Sequence, residues 1–180
     1  GAESAGFLAL ALRLIAFPAV LLGQAVGQVF WAEASRIRDD PKKLSELFYR
    51  VLVTHAIVGA AVAVPLALIA PSAITFFFGE QWWESGYYVR LLSLAFLGDF
   101  TATPLTSTLI AVERQSLQLV WDAARLVLVM LAFTGAHYWS FSDCTAVLAY
   151  GTVQFVAYSA FIILAGIAIR LHTKKLNERN

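Results

Sequence analysis

The chain has one cysteine, Cys144, and one methionine, Met130, in 180 residues. A lone thiol excludes an internal disulfide and a cysteine zinc cluster, leaving Cys144 as a small apolar filler near a helix start. Charge is scarce too. Asp, Glu, Lys and Arg make up 14% of the residues and the net charge is +1, whereas soluble domains carry about 25% charged residues. Neither an acidic nor a basic tail dominates, which argues against nucleic acid as a partner. No GxxxxGK(S/T) occurs, so no P-loop for ATP is expected. HExxH, a GxSxG setting and an aspartate-rich magnesium cluster are also missing. His55 and His137 have no neighbouring ligand at metal spacing. The expectation is a protein without cofactor, metal or catalytic apparatus.

What is abundant is apolar. The set AVILMFWYC reaches 59% and mean hydropathy is +0.71, more than a soluble chain of this length can bury. Five apolar stretches, at 5–31, 50–77, 88–111, 116–135 and 144–170, can each cross a hydrocarbon core of roughly 30 Å as helices. The fold expected is therefore an all-α membrane protein of about five spanning helices, forming one domain over 1–180. Prolines at 18, 65, 71 and 104 read as kinks within spans. The chain begins Gly-Ala-Glu, not with methionine, which reads as the carboxy-terminal part of a longer polypeptide.

Ten of the thirteen basic residues fall on one side of this layout: Arg36, Arg38, Lys42, Lys43, Arg50, Arg114, Arg170, Lys174, Lys175 and Arg179. The positive-inside rule makes that side cytoplasmic and places residue 1 outside. Trp82, Trp83, Tyr87, Tyr88, Tyr138 and Trp139 fall at the other side, as an interfacial belt would. In the first basic loop, Asp40 suits an N-cap and Pro41 the first helical position. Leu44, Leu47 and Phe48 then share a face, which predicts a short interfacial helix.

Charges and amides inside a span mark functional candidates. Arg13, Phe17, Val20, Gln24, Gln28 and Trp31 fall within about 80° on a helical wheel. Arg13 lies more than two turns into its span, where a guanidinium lining a cavity could hold a phosphate through bidentate hydrogen bonds. Snorkelling, or pairing with a carboxylate, is the structural alternative. Gly23 and Gly27 form a GxxxG that permits close helix packing. Gln115, Gln118, Asp122 and Arg125 make a second stripe, in which an Asp122–Arg125 ion pair is expected. Asp99 shares a face with Thr103 and Thr106 and can either protonate during a cycle or meet Arg13 or Arg125. Arg90 reads as snorkelling, and Tyr150, Gln154 and Tyr158 as packing.

The stretches Ala9-Leu10-Ala11-Leu12-Arg13-Leu14-Ile15-Ala16-Phe17-Pro18 and Gly23-Gln24-Ala25-Val26-Gly27-Gln28-Val29-Phe30 resemble the eighth helix of oligosaccharide flippases. That family lies within the multidrug/oligosaccharidyl-lipid/polysaccharide exporter superfamily. Phe78-Gly79-Glu80-Gln81-Trp82 with Ser85-Gly86-Tyr87-Tyr88-Val89-Arg90-Leu91-Leu92 is similar to the opening of the tenth helix. Thr103-Pro104-Leu105 and Ala111-Val112-Glu113-Arg114-Gln115 fit the O-antigen translocase branch. The resemblance implies helices eight to twelve of a two-lobed, twelve-helix protein of the bacterial inner membrane. It also implies export of undecaprenyl-pyrophosphate-linked sugars by alternating access without ATP hydrolysis. The expected partners are a lipid-linked oligosaccharide, membrane lipids, a missing amino-terminal lobe and a polysaccharide polymerase. Related lipid II flippases carry a cavity arginine in the Arg-Leu-x-x-Phe-Pro context that Arg13 occupies here. Substrate contacts are thus expected at Arg13, with Gln24, Gln28 and Arg125 added on geometry alone, and ion coupling at Asp99 or Asp122. Two alternatives stay open: a cation-coupled drug exporter centred on Asp99, and a non-transporting scaffold in which every intramembrane charge is paired.

Overall fold

A computed structural model describes residues 2–178, with the side chains at 2, 18, 19, 21 and 177 outside that description; Arg179 of the basic tail also lies outside it. Every regular element among the described residues is helical. Helix α1 (Ala2–Arg36) is followed by α2 (Pro41–Phe78), α3 (Trp83–Ala102), a short α4 (Thr108–Ala111), α5 (Gln115–Tyr138) and α6 (Asp143–Asn177). Four spans are long and apolar enough to cross a membrane, the third running Glu80–Ala111 through α3 and α4. α1, bent by 41° between Glu3–Phe17 and Leu22–Arg36, makes a fifth when its two halves are counted as one broken span. The chain is a multi-pass membrane protein.

Local chemistry sets the boundaries. Asp40 caps α2, its carboxylate accepting from the Lys43 N–H at 3.1 Å, with Pro41 at the first position. The Lys43 side chain holds the Asp40 carboxyl below its ordinary range, so this cap weakens as pH falls through that lowered value. No separate interfacial helix follows. Leu44 and Phe48 are buried in the first turns of α2, packed among Phe30, Ala34, Leu105 and Leu109, because their apolar face has protein to cover it. α2 ends where Gly79 adopts φ +98° and donates its N–H to the Thr75 carbonyl, a conformation that favours glycine. Ser142 caps α6, accepting from the Thr145 N–H. At the basic end, Arg38 bonds Glu113 at 2.8 Å and its carbonyl lies 3.1 Å from His172 Nε2. These contacts tie the α1–α2 turn to the α4–α5 turn and to α6.

α3 is the central helix. Its span is 61% buried, against 17% for α2, 6% for α5 and 33% for α6. Glycines make that possible by letting backbones touch. A Cβ added at Gly86 would lie 2.5 Å from Pro71 Cα, and one at Gly98 would lie 3.3 Å from Phe155 Cα. Gly151 of α6 faces the Leu91 carbonyl in the same way.

Pro71 gives α2 a second constraint. Proline has no N–H, so the Ala67 carbonyl loses its helical partner, yet α2 continues unbroken to Phe78. Arg90 of α3 supplies the donors: Nε to the Ala67 carbonyl at 2.7 Å and Nη2 to the Leu68 carbonyl at 3.1 Å. Arg90 is therefore a cross-helix brace and not a snorkelling side chain. The sequence could not reveal this, because the freed carbonyl belongs to another helix.

Two outcomes follow for unfolding measured in mixed micelles. Gly86→Ala should cost about 1–3 kcal/mol, since backbone at Pro71 cannot yield, whereas Gly166→Ala, whose Cβ would meet open space, should cost nothing. Arg90→Met should cost about 1.5–3 kcal/mol through its lost charge-assisted bonds. Pro71→Ala returns an N–H to Ala67 and should recover most of that loss; strictly additive effects would refute the brace.

Candidate functional site

The face of α1 that meets the bundle carries Ala11, Ile15, Gly23, Phe30 and Ala34, all buried. Gly23 and Gly27 seat this face on the break in the third span. Their added Cβ atoms would lie 2.8 Å from Thr103 Cγ2 and 3.5 Å from Pro104 Cα. The GxxxG thus has a defined partner, a 3₁₀ turn at Thr103–Leu105, where Pro104 interrupts regular helix.

The opposite face is the polar stripe. Arg13, Gln24 and Gln28 are exposed, and so are Phe17 (71%), Val20 (43%) and Trp31 (50%) between them. The helical-wheel grouping therefore corresponds to one continuous face that this bundle leaves uncovered. Arg13 makes no hydrogen bond or ion pair with another described residue. Neither Asp99 nor any other described carboxylate closes on it.

A separate polar cluster lies inside the bundle, between α1, α3, α5 and α6. Arg125 Nη1 donates to the Tyr158 hydroxyl at 2.7 Å. Its guanidinium carbon stands 5.0 Å from the centre of the Trp121 ring and 5.3 Å from that of Tyr158, a cation–π arrangement. Trp121 is fixed in turn, its Nε1 donating to the Ala157 carbonyl at 2.9 Å. The expected Asp122–Arg125 pair does not form among the described residues. Arg125 turns toward the aromatic rings of α5 and α6, while Asp122 is exposed and accepts from Gln118 Nε2 at 3.1 Å. The structure thus separates Arg125 from the α1 stripe with which the sequence had grouped it as a ligand.

Asp99 accepts from Thr103 Oγ1 at 3.0 Å and faces the Tyr158 hydroxyl, so Tyr158 stands between a guanidinium and a carboxylate. Asp99 also lines a cavity of about 130 Å³ with Tyr150, Gln154, Tyr158 and, from α1, Leu12, Ile15 and Ala16. Gln154 donates to the Tyr150 hydroxyl at 3.3 Å, and its own Oε1 is buried without a partner. Tyr150, Gln154 and Tyr158 are the residues sequence reasoning undervalued. Their spacing of four was visible, but a stripe of that kind reads as packing until Asp99 and Arg125 are seen to meet it. No group of three His, Cys, Asp or Glu among the described residues is placed to hold a metal.

The chain is 25% identical over 132 residues to the lipopolysaccharide biosynthesis protein WzxC of Escherichia coli (strain K12), a match covering 73% of this chain. The chain spans only about 27% of that relative's length. No solved structure matches. Residues 1–86 match the family described as polysaccharide biosynthesis protein, a region that ends before Asp99, Asp122 and Arg125. Over those residues, which include Arg13, Gln24 and Gln28, the chain is similar to the polysaccharide biosynthesis proteins.

Proposed function

We propose that this chain forms one lobe of a flippase that carries undecaprenyl-pyrophosphate-linked oligosaccharide across the bacterial inner membrane for surface polysaccharide synthesis. The observation that carries the reading is Arg13: a guanidinium within a span, on an uncovered face, with no hydrogen bond or ion pair to a described residue. A charge at that depth costs at least a few kcal/mol unless it meets water or an opposite charge. A second, amino-terminal lobe facing the stripe would enclose a wet cavity there. In it the planar fork of Arg13 matches a diphosphate bidentately, and the amides of Gln24 and Gln28 offer donors and acceptors to the first sugars. Alternating access then comes from rocking one lobe against the other, with residue 1 periplasmic and the basic end cytoplasmic. An unpaired Arg13 also counts against a purely structural scaffold.

A second reading, a cation-coupled drug exporter, has one observation in its favour. Asp99 borders a small cavity, and no cationic side chain among the described residues is bonded to it. Within the flippase reading the same carboxylate is the coupling residue, with exposed Asp122 the lesser candidate.

Both readings are tested by complementation with the gene encoding this chain. Arg13→Ala should abolish surface polysaccharide at unchanged protein level, reflecting diphosphate binding weakened about ten- to a hundredfold. Arg13→Lys should restore part of it, because charge survives without the fork. Normal polysaccharide from Arg13→Ala would exclude the diphosphate role. Drug resistance lost in Asp99→Asn but kept in Arg13→Ala would select the exporter.

A further inference from the structure

At the basic end of the bundle, α2 and α6 diverge around a slot of about 250 Å³. Phe48 and Leu52 of α2 and Ile162, Ile163 and Ile167 of α6 supply its apolar lining. Gly166 lies between those isoleucines, and a Cβ added there would find nothing within 4 Å, so α6 is notched and the notch is empty of protein. Ile163 is 64% exposed and Ile167 48%, so the slot opens sideways, toward acyl chains. Its volume exceeds the ~150 Å³ at which an apolar cavity admits a ring-sized guest. Arg170 also lines the slot. It is exposed and has no hydrogen bond or ion pair to a described residue. From Asp143 it lies about 40 Å along α6 at 1.5 Å per residue, which is roughly the distance from one headgroup layer to the other. Tyr49 stands on the facing wall, amphipathic as interfacial tyrosines are.

An apolar cleft with a free guanidinium at headgroup depth has the charge and shape complementary to an anionic lipid. We propose that this slot is a binding site for an anionic phospholipid, one acyl chain lying across the Gly166 notch and the phosphate on Arg170. The site is independent of the α1 stripe: none of its lining residues comes from α1. A zwitterionic lipid can fill the notch equally well, so selectivity rests on Arg170.

Native mass spectrometry of the purified chain, equilibrated with equal parts of phosphatidylglycerol and phosphatidylcholine, reads this directly. Wild type should retain phosphatidylglycerol preferentially, and Arg170→Gln should lower that preference about fivefold. Gly166→Leu, filling the notch, should reduce retention of both lipids at unchanged helix content. Ile167→Trp, closing the slot from its rim, should do the same and serves if Gly166→Leu perturbs α6. Lys175→Gln, outside the slot, should leave the preference intact. An unchanged preference in Arg170→Gln, an equal drop in Lys175→Gln, or full retention in both slot-filling variants would overturn the site.

Discussion

In a bilayer, apolar side chains gain nothing by leaving lipid for protein, so helices associate through close backbone approach and internally satisfied polar groups. α3 is where this bundle meets that constraint. Its Gly86 rests on Pro71 of α2, its Gly98 on Phe155 of α6, and the break at its end receives Gly23 and Gly27 of α1. α5 lacks such contacts along most of its length, and only 6% of its span is buried. It is anchored instead by Trp121 and Arg125, both bonded to α6. The bundle is therefore a tight core of α2, α3 and α6, with α1 seated on the break and α5 held by side chains.

The same constraint sorts the arginines within the spans. Arg90 is spent on the Ala67 carbonyl that Pro71 orphans and on the neighbouring Leu68 carbonyl. Arg125 is spent on a hydroxyl and two ring faces. Both have fixed partners in the protein, and each fastens one helix to another. Arg13 has no such partner among the described residues, although it lies on a helix whose other face is well packed. This contrast among three residues of one type, more than the composition of the stripe, sets Arg13 apart from the two structural arginines.

Local signals in the sequence carried over well into the structure. The apolar stretches became helices, the Asp40-Pro41 pair capped α2, and the spacing from Arg13 to Trp31 became one uncovered face. What was not legible depended on the identity of a neighbour. GxxxG announced close packing without naming Thr103-Pro104 as its seat. Asp122 and Arg125 had the spacing of an ion pair, but Arg125 found Tyr158 thirty-three residues on. Leu44, Leu47 and Phe48 gave the amphipathic pattern of a surface helix, because such a pattern looks the same whether lipid or Leu105 and Leu109 cover it. Arg90 is the sharpest case, since its partners are backbone atoms made available by a proline nineteen positions earlier.

α1 joins the two polar places. One face presents the Arg13 stripe. The other contributes Leu12, Ile15 and Ala16 to the cavity of Asp99, and Gly23 and Gly27 to the turn whose Thr103 bonds that same carboxylate. α1 cannot shift on its seat without disturbing the wall of the Asp99 cavity, and Thr103 cannot move freely while Gly23 lies against it. The two polar places are thus joined by one helix, packed at two glycines against the turn that the Asp99 carboxylate holds.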